Sequence, residues 1–150
     1  MSKMIAQQIL RIGDPGFTKL NRFLTPMEGS VIAYGTIQKT VSVLDAENRM
    51  YANPVSLDFL SMAGHIEDTA SNAPMAAMNM RKIIDNLYYM TSICLMHAAQ
   101  AVDLREHPSL GVGTEDFYTA YREVVPFLDN DRNMSEDIQK TYDFLKGYEV

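Results

Sequence analysis

The sequence predicts an all-α protein with long helices, and three observations predict it. Apolar residues recur at steps of three and four through two long segments, Ser30 to about Arg49 and Pro74 to about Arg105. Helix start and stop residues punctuate the rest of the chain at Gly13 to Gly16, Ser135 and Gly147. With 150 residues, 47% of them hydrophobic, the chain can bury the core of one ordinary domain. No internal repeat, low-complexity tract or linker divides it, so one helical domain over residues 1–150 is expected.

Residues 2–12 form the first expected helix. The sequence "GDPG" stops it, because glycine suits a left-handed cap and Pro15 cannot continue a helix. A loop follows to about Gly29. From Ser30 to about Arg49, Val31, Tyr34, Ile37, Val41, Leu44 and Asn48 fall on one helix face, with Lys39 and Asp45 opposite. The chain from Met50 to Pro74 then loses its period. Pro54 biases Asn53 away from the helical region, and Pro74 suits the first turn of a new helix. Roughly twenty apolar but non-periodic residues inside a compact domain are unusual, and such loops are commonly functional.

The segment from Pro74 to about Arg105 places Met80, Ile84, Leu87, Thr91, Cys94, Ala98 and Ala101 on one stripe, widened by Ile83, Tyr88, Leu95 and Val102. A helix of that length runs roughly 45 Å. A free-standing globule of this size has a radius of gyration of about 15 Å. The helix therefore outreaches its own domain, and other chains are expected to complete its core. Beyond it, Thr114 is the expected cap of a helix with Glu115 and Asp116 in its first turn and Pro126 near its end. Ser135 is the expected cap of a last helix that Gly147 closes.

Charge and composition exclude several functions. Thirteen basic residues against nineteen acidic ones, a net charge of -6, give no footprint for a polyanion, so nucleic acid is not an expected partner. The single Cys94 forms no internal disulfide, and "MSKMIAQQILR" lacks the apolar core and small-residue cleavage site of a secretion signal. A cytoplasmic location is expected. The stretch from Asn86 to Val102 contains Asn86, His97 and Gln100, which a bilayer core penalises, so no membrane span is expected.

Candidate chemistry gathers in "GHIEDTASNAP", Gly64 to Pro74. His65, Glu67 and Asp68 are a possible metal half-site, since imidazole and carboxylate suit zinc or iron. The remaining histidines, His97 and His107, do not supply the i, i+4 pair of a helical site, and no metal is expected. Glu67 and Asp68 as an acid and base pair suffer from being neighbours that point apart. Read locally, Asp68, Thr69, Ser71 and Asn72 are caps of the helix that follows. Ser71 has no glycine-flanked elbow and "GVGT", Gly111 to Thr114, has no phosphate-loop ending. The eleven methionines suit an adaptable packing surface, and Cys94 on the apolar stripe reads as a small buried hydrophobe.

Several fragments in order are more specific than any of these motifs. "QKTVSVLDAEN" carries Gln38, Thr40, Leu44, Glu47 and Asn48; "ANPVSLD" and "IEDTAS" follow; then come "AAQAVDLRE" and "YREVVPFLDNDRNMSEDI". The series resembles the C-terminal part of the aromatic amino-acid ammonia-lyases and aminomutases, the family that includes histidine ammonia-lyase. The resemblance covers nearly the whole chain and runs from Gln38 to Arg105 without an obvious gap.

The resemblance implies the C-terminal portion of the ammonia-lyase fold, long helices in the central bundle of a homotetramer, and active sites shared between subunits. It also implies an electrophilic 4-methylideneimidazol-5-one (MIO) group, formed from an Ala-Ser-Gly tripeptide, together with a tyrosine base and a carboxylate-binding arginine. Those parts belong to the N-terminal portion of family members. The nearest tripeptide in this sequence, Ala70-Ser71-Asn72, is out of order and ends in asparagine. The expectation is therefore a C-terminal subunit of a split lyase, inactive alone, that joins a separate N-terminal chain carrying MIO in a hetero-oligomer with a tetrameric core.

One catalytic residue carries over by resemblance. Histidine lyases have Gln-Glu-Asp where this sequence has Ile66-Glu67-Asp68, so Glu67 matches and points toward histidine as the amino-acid substrate. Phenylalanine and tyrosine lyases tend to have Asn-Gln-Asp. A carboxylate pairs with a protonated imidazole or an amino group, and a phenyl ring offers it nothing comparable. Gly35 or its neighbour Tyr34 falls where a substrate-contacting residue, often methionine in histidine lyases, is found. The alternatives are an aminomutase, a tyrosine or phenylalanine lyase subunit, and a non-catalytic helical assembly protein or remnant of the same family.

Overall fold

In a computed structural model, residues 1–29, 31–58, 60–67, 71–105 and 108–148 are described. Along them run α1 (Ser2–Ile12), α2 (Pro15–Thr18), α3 (Gln38–Tyr51), α4 (Ala73–Asp103), α5 (Val112–Val124) and α6 (Met134–Gly147). Short 3-10 turns occupy Arg22–Leu24, Ala33–Gly35, Val55–Leu57 and Ala63–His65. No strand occurs among the described residues, and the all-α expectation holds.

The 31 residues of α4 form the spine, about 46 Å long, on which α1, α3 and α6 all pack. Its buried residues begin only at Met90 and continue through Ile93, Met96, His97 and Gln100. The buried face is thus neighbour to the stripe read from the sequence, on which Met80, Ile84 and Thr91 are exposed and Leu87, Cys94 and Ala98 half-buried. Polar Ser92, His97 and Gln100 lie on the buried face, and they hide it from a hydrophobicity pattern. From Ala73 to Tyr89 no residue of α4 is fully buried, and Met75, Met78, Met80 and Ile84 show open apolar surface.

At α1 the apolar face buries Ala6 and Ile9. Gly13 does end this helix, but with φ -81°, in the ordinary helical region. Asp14 then caps α2, its side chain accepting the Gly16 amide at 2.8 Å, and Pro15 occupies the first turn. The proline expected as a stop is therefore also a start.

The next helix begins at Gln38, well after the expected Ser30, because Ala33 has φ 48° and breaks the helical run. The expected face is nevertheless right for Tyr34, Ile37, Val41 and Asn48, all buried. Asp45, expected on the solvent side, is buried: its carboxylate accepts Ser2 Oγ at 2.5 Å and Lys3 Nζ at 2.6 Å. Those bonds, first from Lys3 and then from Ser2, hold the Asp45 carboxyl below its ordinary range and fasten α1 to α3.

Two caps differ from expectation. Gly111 precedes α5 and Thr114 lies in its first turn, its amide bonded to Gly111 O at 2.9 Å. Asn133 caps α6 by accepting the Ser135 amide at 3.2 Å, so Ser135 receives the cap it was expected to provide. The ends are as read: α5 stops at Val124 before Pro126, and α6 closes at Gly147. Among the described residues no helix is long and apolar enough to cross a membrane.

Candidate functional site

The non-periodic stretch before α4 is a set of tight turns tied to the helix start. Asn72 precedes α4 in a left-handed conformation, φ 51°, and makes no side-chain cap. Its Nδ2 instead donates to Val55 O at 3.0 Å and Asp58 O at 2.5 Å, clipping the Val55–Leu57 turn against the helix. Asn72 thus acts as a brace where a cap was expected. Asp68 and Thr69, also read as caps, lie outside the described residues, as does Ala70; Ser71 is exposed and one residue before the N-cap position that Asn72 occupies.

Glu67 sits at the end of a narrow turn. Its carbonyl accepts the Met62 amide at 2.9 Å and its amide donates to Met62 O at 3.3 Å. Between them Ala63, Gly64 and His65 all have positive φ, 52°, 66° and 69°, and of these only the glycine adopts it without strain. Such strain persists where surrounding structure over-determines it, and it gathers at functional sites. Glu67 is exposed. His65 Nδ1 lies 3.1 Å from Ser61 Oγ. Among the described residues no three of His, Cys, Asp and Glu are placed to hold a metal ion. The Asp68 of the considered half-site is not among them.

Tyr34 and Gly35 belong to a second, better buried turn. Tyr34 is 2% exposed and turned inward, its ring 4.5 Å from that of His97. Burial pushes its phenol well above the ordinary range. Gly35 is half-buried, so of this pair it is the member that reaches the surface. The turn is held by Asp131, whose carboxylate accepts the Ile32 amide at 3.0 Å and the Ala33 amide at 2.8 Å.

The two turns lie toward opposite ends of α4. Glu67 precedes Ala73 by six residues in the sequence, whereas the Tyr34 ring meets that of His97, and the helix between Ala73 and His97 is about 36 Å long. No hydrogen bond among the described residues joins Glu67 to Tyr34 or Gly35. The residues expected to share one site are thus separated within the chain.

Sequence reasoning missed the polar groups that secure the second turn. Gln100 donates to Leu128 O at 3.0 Å and accepts the Leu128 amide at 3.0 Å, with a longer bond to Leu24 O at 3.4 Å. Arg132 reaches Phe127 O, Pro126 O and the buried Asp137. "AAQAVDLRE" and "LDNDRN" contained these residues, but only a loop-to-helix contact gives them a role. Cys94 is half-buried, with its thiol pushed up by burial. That suits the packing role read for it.

These residues do not fit an MIO group: the sequence holds no Ala-Ser-Gly, and the nearest tripeptide ends in Asn72, whose side-chain Nδ2 is spent on bracing two backbone carbonyls.

Comparison with known proteins agrees with the fold. A family model described as "Aromatic amino acid lyase" matches residues 1–123. The histidine ammonia-lyase of Geobacillus sp. (strain WCH70) is 31% identical over 147 residues, 98% of this chain and 29% of that protein. The crystal structure of the "ergothioneine degrading enzyme Ergothionase" of Treponema denticola, in complex with desmethyl-ergothioneine sulfonic acid, superposes with a TM-score of 0.92. It is 52% identical and covers 97% of this chain and 29% of that one. Histidine ammonia-lyase from Trypanosoma cruzi gives a TM-score of 0.93 at 26% identity, over 97% of this chain and 28% of its own. The chain spans a little under a third of the length of these relatives. The shared family model and the shared helical architecture make this chain a member of the aromatic amino acid lyase family.

Proposed function

We propose that this chain supplies the C-terminal part of a composite active site that eliminates an amine from a histidine-derived substrate. A separate N-terminal chain of the same family supplies the β-proton base, the carboxylate contact and any electrophilic group, none of which these residues provide. In the elimination the base removes the Cβ proton and the C–H electron pair becomes the Cα=Cβ bond. The Cα–N bond breaks, and its electron pair leaves with the amine.

Glu67 has the role of holding the imidazole side of the substrate. An exposed carboxylate on a rigid turn accepts a ring N–H or pairs with a cationic nitrogen. Because Glu67 and Gly35 lie toward opposite ends of α4, a site using both draws them from two copies of the chain. The open apolar face of α4 from Met75 to Ile84 supports such an assembly. A cytoplasmic location belongs to the same reading.

The observation that carries the substrate class is the 52% identity to the Treponema denticola ergothionase. Identity to the histidine ammonia-lyases described above is 26% to 31%. Ergothioneine is therefore favoured over histidine. It is the trimethylammonium betaine of 2-thiohistidine, and its quaternary nitrogen has neither a proton nor a lone pair. That nitrogen leaves as trimethylamine and cannot add to an electrophile first.

Co-expression of the chain with an N-terminal family chain tests the proposal. Each purified complex is given ergothioneine or histidine, and the α,β-unsaturated product is followed by ultraviolet absorbance. Trimethylamine and ammonia are assayed separately. Product from ergothioneine, lost in a Glu67→Ala complex, is the expected result. No product from either compound, or a Glu67→Ala complex at full rate, sinks the proposal.

A further inference from the structure

We propose that Phe23 is a specificity-determining residue of this active site, the wall against which the substrate's five-membered heteroaromatic ring packs. The inference rests on the reading of Gly35 as a substrate contact.

A side chain at position 35 has no room. A Cβ built there stands 2.9 Å from Phe23 Cδ2 and 3.3 Å from Cε2 and Cγ. Carbon atoms pack at about 3.5–4.0 Å. The surface that a residue at position 35 would present is therefore presented by Phe23. The ring is half-buried, so it is seated on the turn and still open on part of its area.

The corner carrying this ring is held in an uncommon backbone conformation. Phe23, Leu24 and Ala33 have φ of 58°, 59° and 48°, three left-handed residues without a glycine among them. The Phe23 amide donates to Gly13 O at 3.2 Å, and the Asp131 carboxylate accepts the Ala33 amide of the Ala33–Gly35 turn at 2.8 Å. Strain at both sides of one half-buried ring, sustained by contacts from distant parts of the chain, is the pattern of a preorganised site.

Charge adds a preference. The Arg22 guanidinium carbon lies 4.9 Å from the Phe23 ring centroid, so the wall has a cation on it. Such a wall favours a neutral imidazole, or a 2-thioimidazole with electron-rich sulfur, over an imidazolium. Offset stacking of two flat rings supplies the contact itself.

The test compares Phe23→Gly and Phe23→Leu in the active complex of this chain with its N-terminal chain, with ergothioneine as substrate. Glycine adopts the left-handed conformation freely, so Phe23→Gly removes the ring while relaxing the backbone. Leucine keeps apolar volume without a flat face. The expected result is a KM raised about tenfold in Phe23→Gly with kcat within about threefold, and an intermediate KM in Phe23→Leu. A merely structural role lowers the melting temperature and the active fraction but leaves KM alone. Unchanged KM in both variants, with Glu67→Ala inactive, overturns the inference while the composite site stands. If Phe23→Gly does not fold, KM of Phe23→Leu decides by the same criterion. A fully active Glu67→Ala complex removes the composite site, and this inference with it.

Discussion

The ring of Tyr34 lies 4.5 Å from that of His97 and is tilted 51° against it, at the point where the Ala33–Gly35 turn meets the spine helix. His97 is fully buried, and its Nδ1 is 2.8 Å from Ile93 O. A carbonyl only accepts, so Nδ1 carries the proton and Nε2 keeps a bare lone pair, buried with no hydrogen-bond partner among the described residues. A proton on Nε2 would place an unpaired cation in the core. Desolvation accordingly pushes His97 down from 6.5 to about 4, against a smaller upward effect of the Ile93 bond.

The folded-state value lies below the unfolded one, so the unfolded chain binds more protons between them. His97's contribution is fully present above about pH 6.5 and is lost as pH falls toward 4, on the order of 3 kcal/mol in all. Urea unfolding from pH 7 to pH 4.5 should show this decline, and His97→Leu should flatten it. Equal slopes in the two proteins would exclude His97 as the titrating group.

Asp131 accepts two backbone amides of the 32–35 turn. Asp131→Ala removes both acceptors at a partly exposed site, and a loss of about 1–2 kcal/mol is expected. Amide hydrogen exchange at Ile32 and Ala33 should accelerate while the buried amides of α4 stay protected. Uniform acceleration across the chain would mean that Asp131 supports the whole fold and has no particular hold on the turn.

Gln100 closes a two-way bond with the Leu128 backbone inside the core. Gln100→Ala leaves a buried N–H and C=O unpaired and opens a cavity, so a loss of about 3 kcal/mol is expected. Gln100→Leu restores volume but not the bonds and should recover only part of it. Full recovery by leucine would show that packing dominates there. Thermal unfolding followed by circular dichroism measures both.

The proposed assembly covers the first half of α4. Ile84 is 45% exposed, and Met75, Met78 and Met80 more so. Ile84→Lys should move the chain from oligomer toward monomer in sedimentation velocity, since a lysine in an apolar interface is an unpaired buried charge. An oligomer unaffected by this change would place the contact elsewhere.

Much of the fold was legible in the residues themselves. The order of helices, the ends of α1, α5 and α6, the start of α4 near Pro74 and the excess length of α4 all follow from periodicity, proline and glycine. These are local signals, set by backbone geometry within a turn or two of the residue concerned. The ordered fragments from "QKTVSVLDAEN" to "YREVVPFLDNDRN" also gave the family, because such a series encodes a whole framework of contacts.

Tertiary structure alone decided what long-range partners control. α3 starts at Gln38 because the backbone before it is turned by a carboxylate that lies 98 residues further along, at Asp131. Asp45 is buried because Lys3 and Ser2 come to it. The buried face of α4 carries His97 and Gln100 because loops bring a tilted aromatic ring to the first and backbone partners to the second that offset their desolvation. For the same reason the sequence could name Glu67, Tyr34 and Gly35 as one site but could not show that about 36 Å of helix separates Ala73, which follows the first turn, from His97, which the second turn meets. Spacing along a chain fixes which face of a helix a residue occupies; only packing fixes what meets it there.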